Sequence, residues 1–211
     1  MAELVVKGGV IIDAEGERSG DVVIDAGHVV AVGTDLSADR VLDAGGCVVS
    51  PAFVDLHTHL REPGSEEAET IDAASRAAVL GGFGAVVAMP DTSHAVDAAA
   101  AVRDVQALAR DALCDVCVAG AITVGRHGDR LTPMAEMAAL GVRLFTDADR
   151  GVQDDRLMRR ALEYASGLGV TLAQHCEAGA LAEGGHMNEG ALSSWLGIPG
   201  IPAEAEELML M

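Results

Sequence analysis

Runs of three to five apolar, mostly β-branched residues recur through the first 50 residues, separated by Gly, Asp, Glu and Ser. Such runs are typical of short β-strands, and the residues between them are turn formers. The predicted strands are Leu4–Val6, Val10–Ile12, Val22–Ile24, Val29–Val32 and Cys47–Val49. Residues 1–50 are therefore predicted to form a small all-β module.

The pattern changes at Pro51, after which apolar, strand-like runs alternate with Ala-rich stretches of helical spacing. The predicted strands are Phe53–His57, Gly84–Met89, Val116–Val124, Val142–Thr146 and Val170–Gln174. The predicted helices are Asp72–Leu80, Val96–Arg110 and Asp154–Gly167. The strands start about 26 to 32 residues apart, which is the size of a strand–helix unit. Alternation of this kind predicts an α/β fold with a parallel sheet, open or closed.

Acidic residues outnumber basic ones, 33 to 14, which gives a formal net charge of −19. This charge disfavours binding to nucleic acid or to an anionic membrane surface, because phosphates would be repelled. No apolar run reaches the roughly 18 residues of a membrane span, and the N-terminus lacks the features of a signal peptide. Four cysteines in 211 residues do not form a disulfide framework. We expect a reduced, cytoplasmic protein.

Two histidines lie two residues apart at the end of the strand that begins at Phe53. Residues i and i+2 of a strand point to the same side, so His57 and His59 would present two imidazoles together, an arrangement that suits Zn²⁺. The alternative is a pair of half-exposed histidines without a ligand. Arg61 follows closely, and its planar guanidinium suits the bidentate binding of a carboxylate.

Polar residues also follow the ends of three other predicted strands. They are Asp91, Asp147, Asp149, His175, Cys176 and Glu177. Functional sites of α/β barrels and open sheets gather at the carboxyl ends of the strands, so these side chains predict a site for a metal or a substrate. Taken singly, an Asp at a strand end is at least as often a turn former or a helix cap.

Several of these segments together resemble one known family. The segments are PAFVDLHTHLREPG, AMPDTSHAV, FTDADRGVQD, QHCE and HMNEG. They resemble the dihydroorotases of the long bacterial type, which belong to the amidohydrolase superfamily of metal-dependent cyclic amide hydrolases. Hydantoinases and allantoinases share the two histidines, and the continuation Arg61–Gly64 favours dihydroorotase among the three.

The resemblance implies a TIM-like (β/α)₈ barrel combined with a small β-sandwich. Residues 51–211 would supply about strands 1–5 of the barrel, and residues 1–50 part of the sandwich. Since eight strand–helix units need about 250 residues, we expect a truncated chain that is poorly stable or pairs into a homo-oligomer. The general acid/base of the family would lie beyond residue 211, so no catalytic residue is assigned and little activity is expected from this chain by itself.

The resemblance also implies one or two Zn²⁺ ions. His57 and His59 would bind the first ion, His175 the second, and an Asp after the fourth strand would bridge them. Arg61 would bind the carboxylate of dihydroorotate or N-carbamoyl-aspartate, whose interconversion belongs to de novo pyrimidine biosynthesis. Asp91 takes a place where the family typically has an Asn that contacts the substrate.

Two positions depart from the family pattern. An ungapped match back from His175 puts Ala148 at the place of the bridging Asp. Asp147 or Asp149 could supply that carboxylate only if the loop is shifted, and Asp147 is the predicted ligand of the two. Asp91 places a negative charge near the site of an anionic substrate, which would lower affinity through repulsion.

Three functions remain open at this point. The first is a zinc-dependent hydrolase of the dihydroorotase type. The second is a non-catalytic dihydroorotase-like partner of aspartate carbamoyltransferase, which Ala148 favours and the retained histidines and Arg61 disfavour. The third is a cyclic amidohydrolase of the hydantoinase or allantoinase type, which Arg61 disfavours.

Overall fold

The computed structural model describes residues 2–210, which fall into two compact units. The first unit ends at Phe53 and the second begins at Val54. This division lies close to Pro51, where the sequence pattern changes from short β runs to alternating strands and helices.

The first unit is built on one five-stranded sheet. Its strands are β1 (Leu4–Asp13), β2 (Gly16–Asp25), β3 (His28–Gly33), β4 (Arg40–Asp43) and β5 (Val48–Val49). The order is β3-β2-β1-β4, with β5 also paired to β1. Pairing is antiparallel for β1–β2 and β2–β3 and parallel for β1–β4 and β1–β5. The described residues of this unit form a single sheet, so its part in a two-sheet sandwich stays a prediction.

Two details of this sheet differ from the sequence prediction. The two predicted strands Leu4–Val6 and Val10–Ile12 are one strand, β1, because pairing with β2 continues through a register shift between Val6 and Gly9. The strand β4 was not predicted, because its four residues contain only two apolar ones and all four side chains are exposed.

All five strands predicted for the second unit are present. They are β6 (Phe53–Thr58), β7 (Phe83–Ala88), β8 (Asp115–Val118), β9 (Leu144–Thr146) and β10 (Thr171–Ala173). β6, β7 and β8 form one sheet in that order, and β9 pairs with β10 in parallel. A parallel bridge between Gly120 and Phe145 connects the two groups, so the five strands lie side by side in chain order.

Helices follow the strands of the second unit. They are α1 (Ile71–Leu80), α2 (Ala99–Leu108), α3 (Met134–Ala139), α4 (Asp155–Leu168), α5 (Gly179–Ala182), α6 (Ala191–Leu196) and α7 (Glu204–Leu210). The two-residue strands β11 (Met187–Asn188) and β12 (Gly200–Ile201) pair in parallel near the C-terminal end. The three predicted helices correspond to α1, α2 and α4. Within residues 2–210, no helix combines the length and apolar character needed to cross a membrane.

The two faces of the strands in the second unit bury different residues, because alternate residues of a strand point to opposite faces. Val86, Val118 and Phe145 pack against the helices in the main core. The larger set of helix residues in that core is Ile71, Ala74, Val102, Val105, Met134, Met137 and Ala161. The opposite face carries a separate apolar patch, which consists of Val87, Met89, Ala119 and Ala148.

The two bulkiest polar aromatic side chains of the chain occupy contrasting places. Tyr164 of α4 packs against the main core, and its hydroxyl accepts a hydrogen bond from the amide of Ala135 in α3 at 3.2 Å. Trp195 of α6 is 81% exposed. They are the only tyrosine and the only tryptophan in the sequence.

Candidate active site

The end of β6 carries two histidines on one face of the sheet. The amide of Met89 donates to the carbonyl of Thr58 at 2.9 Å, so β6 and β7 end side by side. In a parallel pair this register aligns Thr58 with Ala88, and its neighbours His57 and His59 then share the face of Val87 and Met89. The imidazole centroids lie 5.1 Å apart with the rings inclined at 67°.

Asp91, which follows β7, is the hydrogen-bond partner of His59. Its Oδ2 lies 2.7 Å from Nδ1 of His59, and the aspartate side chain is only 16% exposed. A carboxylate can only accept, so Nδ1 of His59 is the donor, and in the neutral ring Nε2 then holds a lone pair that can bind a metal. This is the arrangement in which histidine ligates metals, with the second ring nitrogen bonded to a carboxylate.

Arg61 reaches the same carboxylate from the loop after β6. Its Nη1 lies 3.9 Å from Oδ2 of Asp91, and half of the arginine side chain is exposed. The neighbours of Arg61 hold this loop in place. Leu60 is buried in the main core, and Glu62 accepts a hydrogen bond from the amide of Ile71, the first residue of α1, at 2.7 Å. The backbone at Arg61 is therefore held at the carboxyl ends of β6 and β7, and half of the arginine side chain is open to a ligand.

Asp147, the predicted carboxylate ligand, instead joins two loops. Its Oδ1 accepts from the amides of Ile122 and Thr123 at 2.8 and 3.0 Å, and its Oδ2 accepts from the Thr123 hydroxyl. The residue is buried, and burial raises the pKa of its carboxyl, against the lowering effect of the donors from Thr123 and Ile122. Because both oxygens already accept hydrogen bonds from the loop after β8, Asp147 is poorly suited to bind a metal ion.

The next two residues of this loop do not replace it. Ala148 is buried in the apolar patch, with a positive φ of 53°. Asp149 forms an ion pair with Arg126, whose Nε also donates to the carbonyl of Asp147 at 3.1 Å. The carboxylates of this loop are thus engaged by the protein, and the position between them is an alanine.

His175 follows β10 and lies in a different group of side chains. It is half exposed, with Nε2 at 3.9 Å from Oε2 of Glu177. Both residues line a cavity of about 450 Å³ at the carboxyl ends of β8, β9 and β10. The other lining residues are Arg126, His127, Gly128, Asp149, Arg150, Gly151, Gln153 and Gly179. A Cβ atom on Gly151 would lie 2.2 Å from the carbonyl oxygen of His175, so only glycine permits this close approach of the loops after β9 and β10.

The structure therefore brings together part of the predicted site. His57, His59, Asp91 and Arg61 form one group at the ends of β6 and β7, which we call the β6–β7 group. Within residues 2–210, no three His, Cys, Asp or Glu side chains are arranged to hold a metal ion. The two imidazoles fit zinc as part of a ligand set, whereas the predicted convergence of His175 on them is not present. Ala148 is the residue of the loop after β9 that belongs to the apolar patch, and alanine has no carboxylate to offer a metal on that face of the strands.

The sequence pattern gave no sign of Arg126, and His127 was only one of several loop histidines. The apolar run after Asp115 predicts a strand as far as Val124, whereas β8 ends at Val118 and residues 124–126 form a 3₁₀ turn. Arg126 and His127 come soon after Val124, the predicted end of that strand, and this is the one signal that could have found them.

The loop after β9 should depend on Asp147 for its stability. Replacing Asp147 by Ala is expected to lower the free energy of unfolding by about 3 kcal/mol, because two buried amides and a hydroxyl lose their acceptor. Asp147→Asn retains an acceptor oxygen for the amides and is expected to cost less than half as much. Urea unfolding followed by circular dichroism measures both variants, and equal losses would show that these hydrogen bonds do not hold the loop.

The family model described as Dihydro-orotase-like matches residues 46–210. Among curated relatives, a dihydroorotase of Streptomyces coelicolor is 43% identical over 215 residues, which cover 100% of this chain and 50% of that protein. A dihydroorotase of Pelotomaculum thermopropionicum is 41% identical over 212 residues, with coverages of 99% and 50%. One of Mycobacterium tuberculosis is 47% identical over 199 residues, with coverages of 92% and 46%. The chain spans about half the length of the curated relatives it matches.

Solved structures of similar fold include an L-hydantoinase of Arthrobacter aurescens. It has a TM-score of 0.75 at 20% identity, over 87% of this chain and 42% of that one. A dihydropyrimidinase of Brevibacillus agri has a TM-score of 0.70 at 25% identity, with coverages of 87% and 41%. These likenesses show that the chain has the α/β fold of the corresponding part of the hydantoinases.

Proposed function

The chain belongs to the dihydroorotase-like family, and we propose that the protein interconverts dihydroorotate and N-carbamoyl-aspartate as a metal-dependent cyclic amidohydrolase. The observation that carries this proposal is the β6–β7 group. It contains two imidazoles, one of them hydrogen-bonded to Asp91, and the half-exposed side chain of Arg61, which reaches the same carboxylate. Two candidate metal ligands and a binding group for an acidic substrate thus lie at the same strand ends.

We assign Zn²⁺ to His57 and His59, because imidazole is a ligand that zinc favours and Nε2 of His59 is free to ligate. His175 lies in the separate group at the cavity after β8, β9 and β10, and it remains our proposed ligand for a second ion. A zinc ion bound at His57 and His59 would polarise the amide carbonyl and lower the pKa of a bound water.

The remaining groups of the site act on the substrate or on the ligands. Arg61 would bind the substrate carboxylate in a bidentate pair and so orient the ring amide toward the histidines. Asp91 holds the His59 ring. The expelled nitrogen needs a proton from a general acid, and we assign none among the described residues.

Two other functions have an observation in their favour. A non-catalytic role beside aspartate carbamoyltransferase is favoured by Ala148, because alanine cannot ligate a metal at the place of the bridging Asp. The neighbouring carboxylates of Asp147 and Asp149 are bonded to other residues of the protein. A hydantoinase-type activity is favoured by the structural likeness to hydantoinases. Against both, Arg61 lies near Asp91, the partner of His59, where its guanidinium suits a substrate that carries a carboxylate.

The experiment that tests the proposal combines zinc analysis with three substrates. We expect the purified protein to bind zinc and to turn over dihydroorotate, with hydantoin and allantoin much slower. Arg61→Met should raise the KM for dihydroorotate and leave hydantoin turnover unchanged. Zinc binding with hydantoin as the preferred substrate would support the hydantoinase alternative. A protein that neither binds zinc nor turns over any of the three substrates would support the non-catalytic alternative.

A further inference from the structure

Asp91 touches two functional groups at once, although the family resemblance gives this position to a neutral Asn. Its Oδ2 accepts a hydrogen bond from Nδ1 of His59 at 2.7 Å and lies 3.9 Å from Nη1 of Arg61. We propose that Asp91 is a positioning residue that strengthens metal binding through His59 and weakens substrate binding by competing for Arg61. The inference rests on the proposed function, and it adds an effect of Asp91 on metal binding and a second effect on substrate binding.

The effect on the metal follows from the difference between the two histidines. Throughout the described part of the chain, the His57 ring makes no hydrogen bond or ion pair, and it lies against the ring of His59. The His59 ring is fixed by a short bond to a largely buried carboxylate. The orientation of the pair therefore depends on Asp91. A carboxylate partner also increases the basicity of the ligating nitrogen more than a neutral amide does.

The effect on the substrate follows from the geometry at Arg61. The Arg61 side chain is 51% exposed, and its Nη1 stands 3.9 Å from Oδ2 of Asp91, beyond the distance of a good hydrogen bond. A carboxylate ligand could make two parallel hydrogen bonds to the same guanidinium, so it would displace this loose pair. It would do so next to a like charge, and that repulsion raises the KM of an anionic substrate.

Asp91→Asn separates the two effects, because it removes the charge and preserves the shape. We expect the zinc dissociation constant, measured by competition with a chromophoric chelator, to rise about 10- to 100-fold. At saturating zinc we expect the KM for dihydroorotate to fall several-fold. A merely structural role would move neither quantity in this way, and circular dichroism checks that the variant is folded.

The matched control is Asp104→Asn, on the exposed face of α2, where no hydrogen bond or ion pair to the carboxylate is present among residues 2–210. Both constants should stay unchanged in this variant. Unchanged zinc affinity in Asp91→Asn would overturn the proposed role at His59. A raised KM would overturn the competition at Arg61 and show instead that the aspartate itself binds substrate.

Zinc binding and turnover together distinguish a failure of the Asp91 proposal from a failure of the proposed function. Zinc affinity is measured without turnover, so a wild-type protein that binds zinc and does not convert dihydroorotate overturns the function and leaves the His59 arm to be decided. A wild-type protein that binds zinc and converts dihydroorotate, with an Asp91→Asn variant identical to it, overturns the inference alone.

Discussion

Replacing His59 by Ala is expected to remove zinc from the protein and to lower kcat/KM for dihydroorotate by about 10³-fold or more. The metal supplies several kcal/mol of transition-state stabilisation, and each 1.36 kcal/mol is a factor of about ten in rate. The substitution removes one of the two imidazoles that lie together and leaves the largely buried Asp91 without its hydrogen-bond donor. Elemental analysis after dialysis and initial rates at fixed zinc give the two readouts.

His28→Ala is the matched control, because His28 is exposed on β3 in the other compact unit. It should keep the zinc content and the rate of the parent protein. His57→Ala should resemble His59→Ala in zinc content. A His59→Ala variant that retained stoichiometric zinc would show that the metal, if bound, is held elsewhere than at the end of β6.

Ala148→Asp is expected to destabilise the metal-free protein by about 3 kcal/mol and to regain much of that loss when zinc is added. The position is buried beside Val87, Met89 and Ala119, where a carboxylate has no partner, and an unpaired buried charge costs several kcal/mol. The backbone itself does not oppose the change, because Asp tolerates a positive φ better than Ala does. A zinc ion at the β6–β7 group would supply the missing opposite charge.

Thermal unfolding with and without zinc measures this effect, and Ala148→Asn is the matched control. The asparagine variant has the same shape without the charge, so it should be less destabilised and insensitive to zinc. If zinc failed to stabilise Ala148→Asp, position 148 would not face the metal, and its correspondence to a bridging ligand would have no support from this chain.

The strands of the second unit were predictable because each is a short apolar run, and stretches of helical spacing follow three of them. The error at β8 has a physical cause. Ala119, Ala121, Ile122 and Thr123 are fully buried although they lie beyond the strand. Ile122 and Thr123 donate their amides to Asp147 instead of continuing the sheet. An apolar run indicates that its residues are buried. Residues are buried both in strands and in loops whose backbone amides are hydrogen-bonded to other groups.

The candidate site was predictable to the extent that it follows from strand geometry. The alternation of side chains brings His57 and His59 together, and the shared edge of neighbouring strands brings Asp91 to them. The direction of the Asp147 carboxylate does not follow from its position after β9, because it is decided by two amides and a hydroxyl about 24 residues earlier in the chain. Hydrogen-bond donors so far away along the chain cannot be identified from the local sequence pattern.

The placement of the two polar aromatic residues decides which optical signal reports unfolding. Trp195 is 81% exposed on α6, so its fluorescence already reflects an indole in water and should change little when the core opens. Tyr164 packs on the main core and is tied to Ala135, so its near-ultraviolet dichroism reports the packing of α4 on α3. Tryptophan emission is better suited to detect a molecule that binds over α6. Tyrosine dichroism is better suited to follow the loss of tertiary structure.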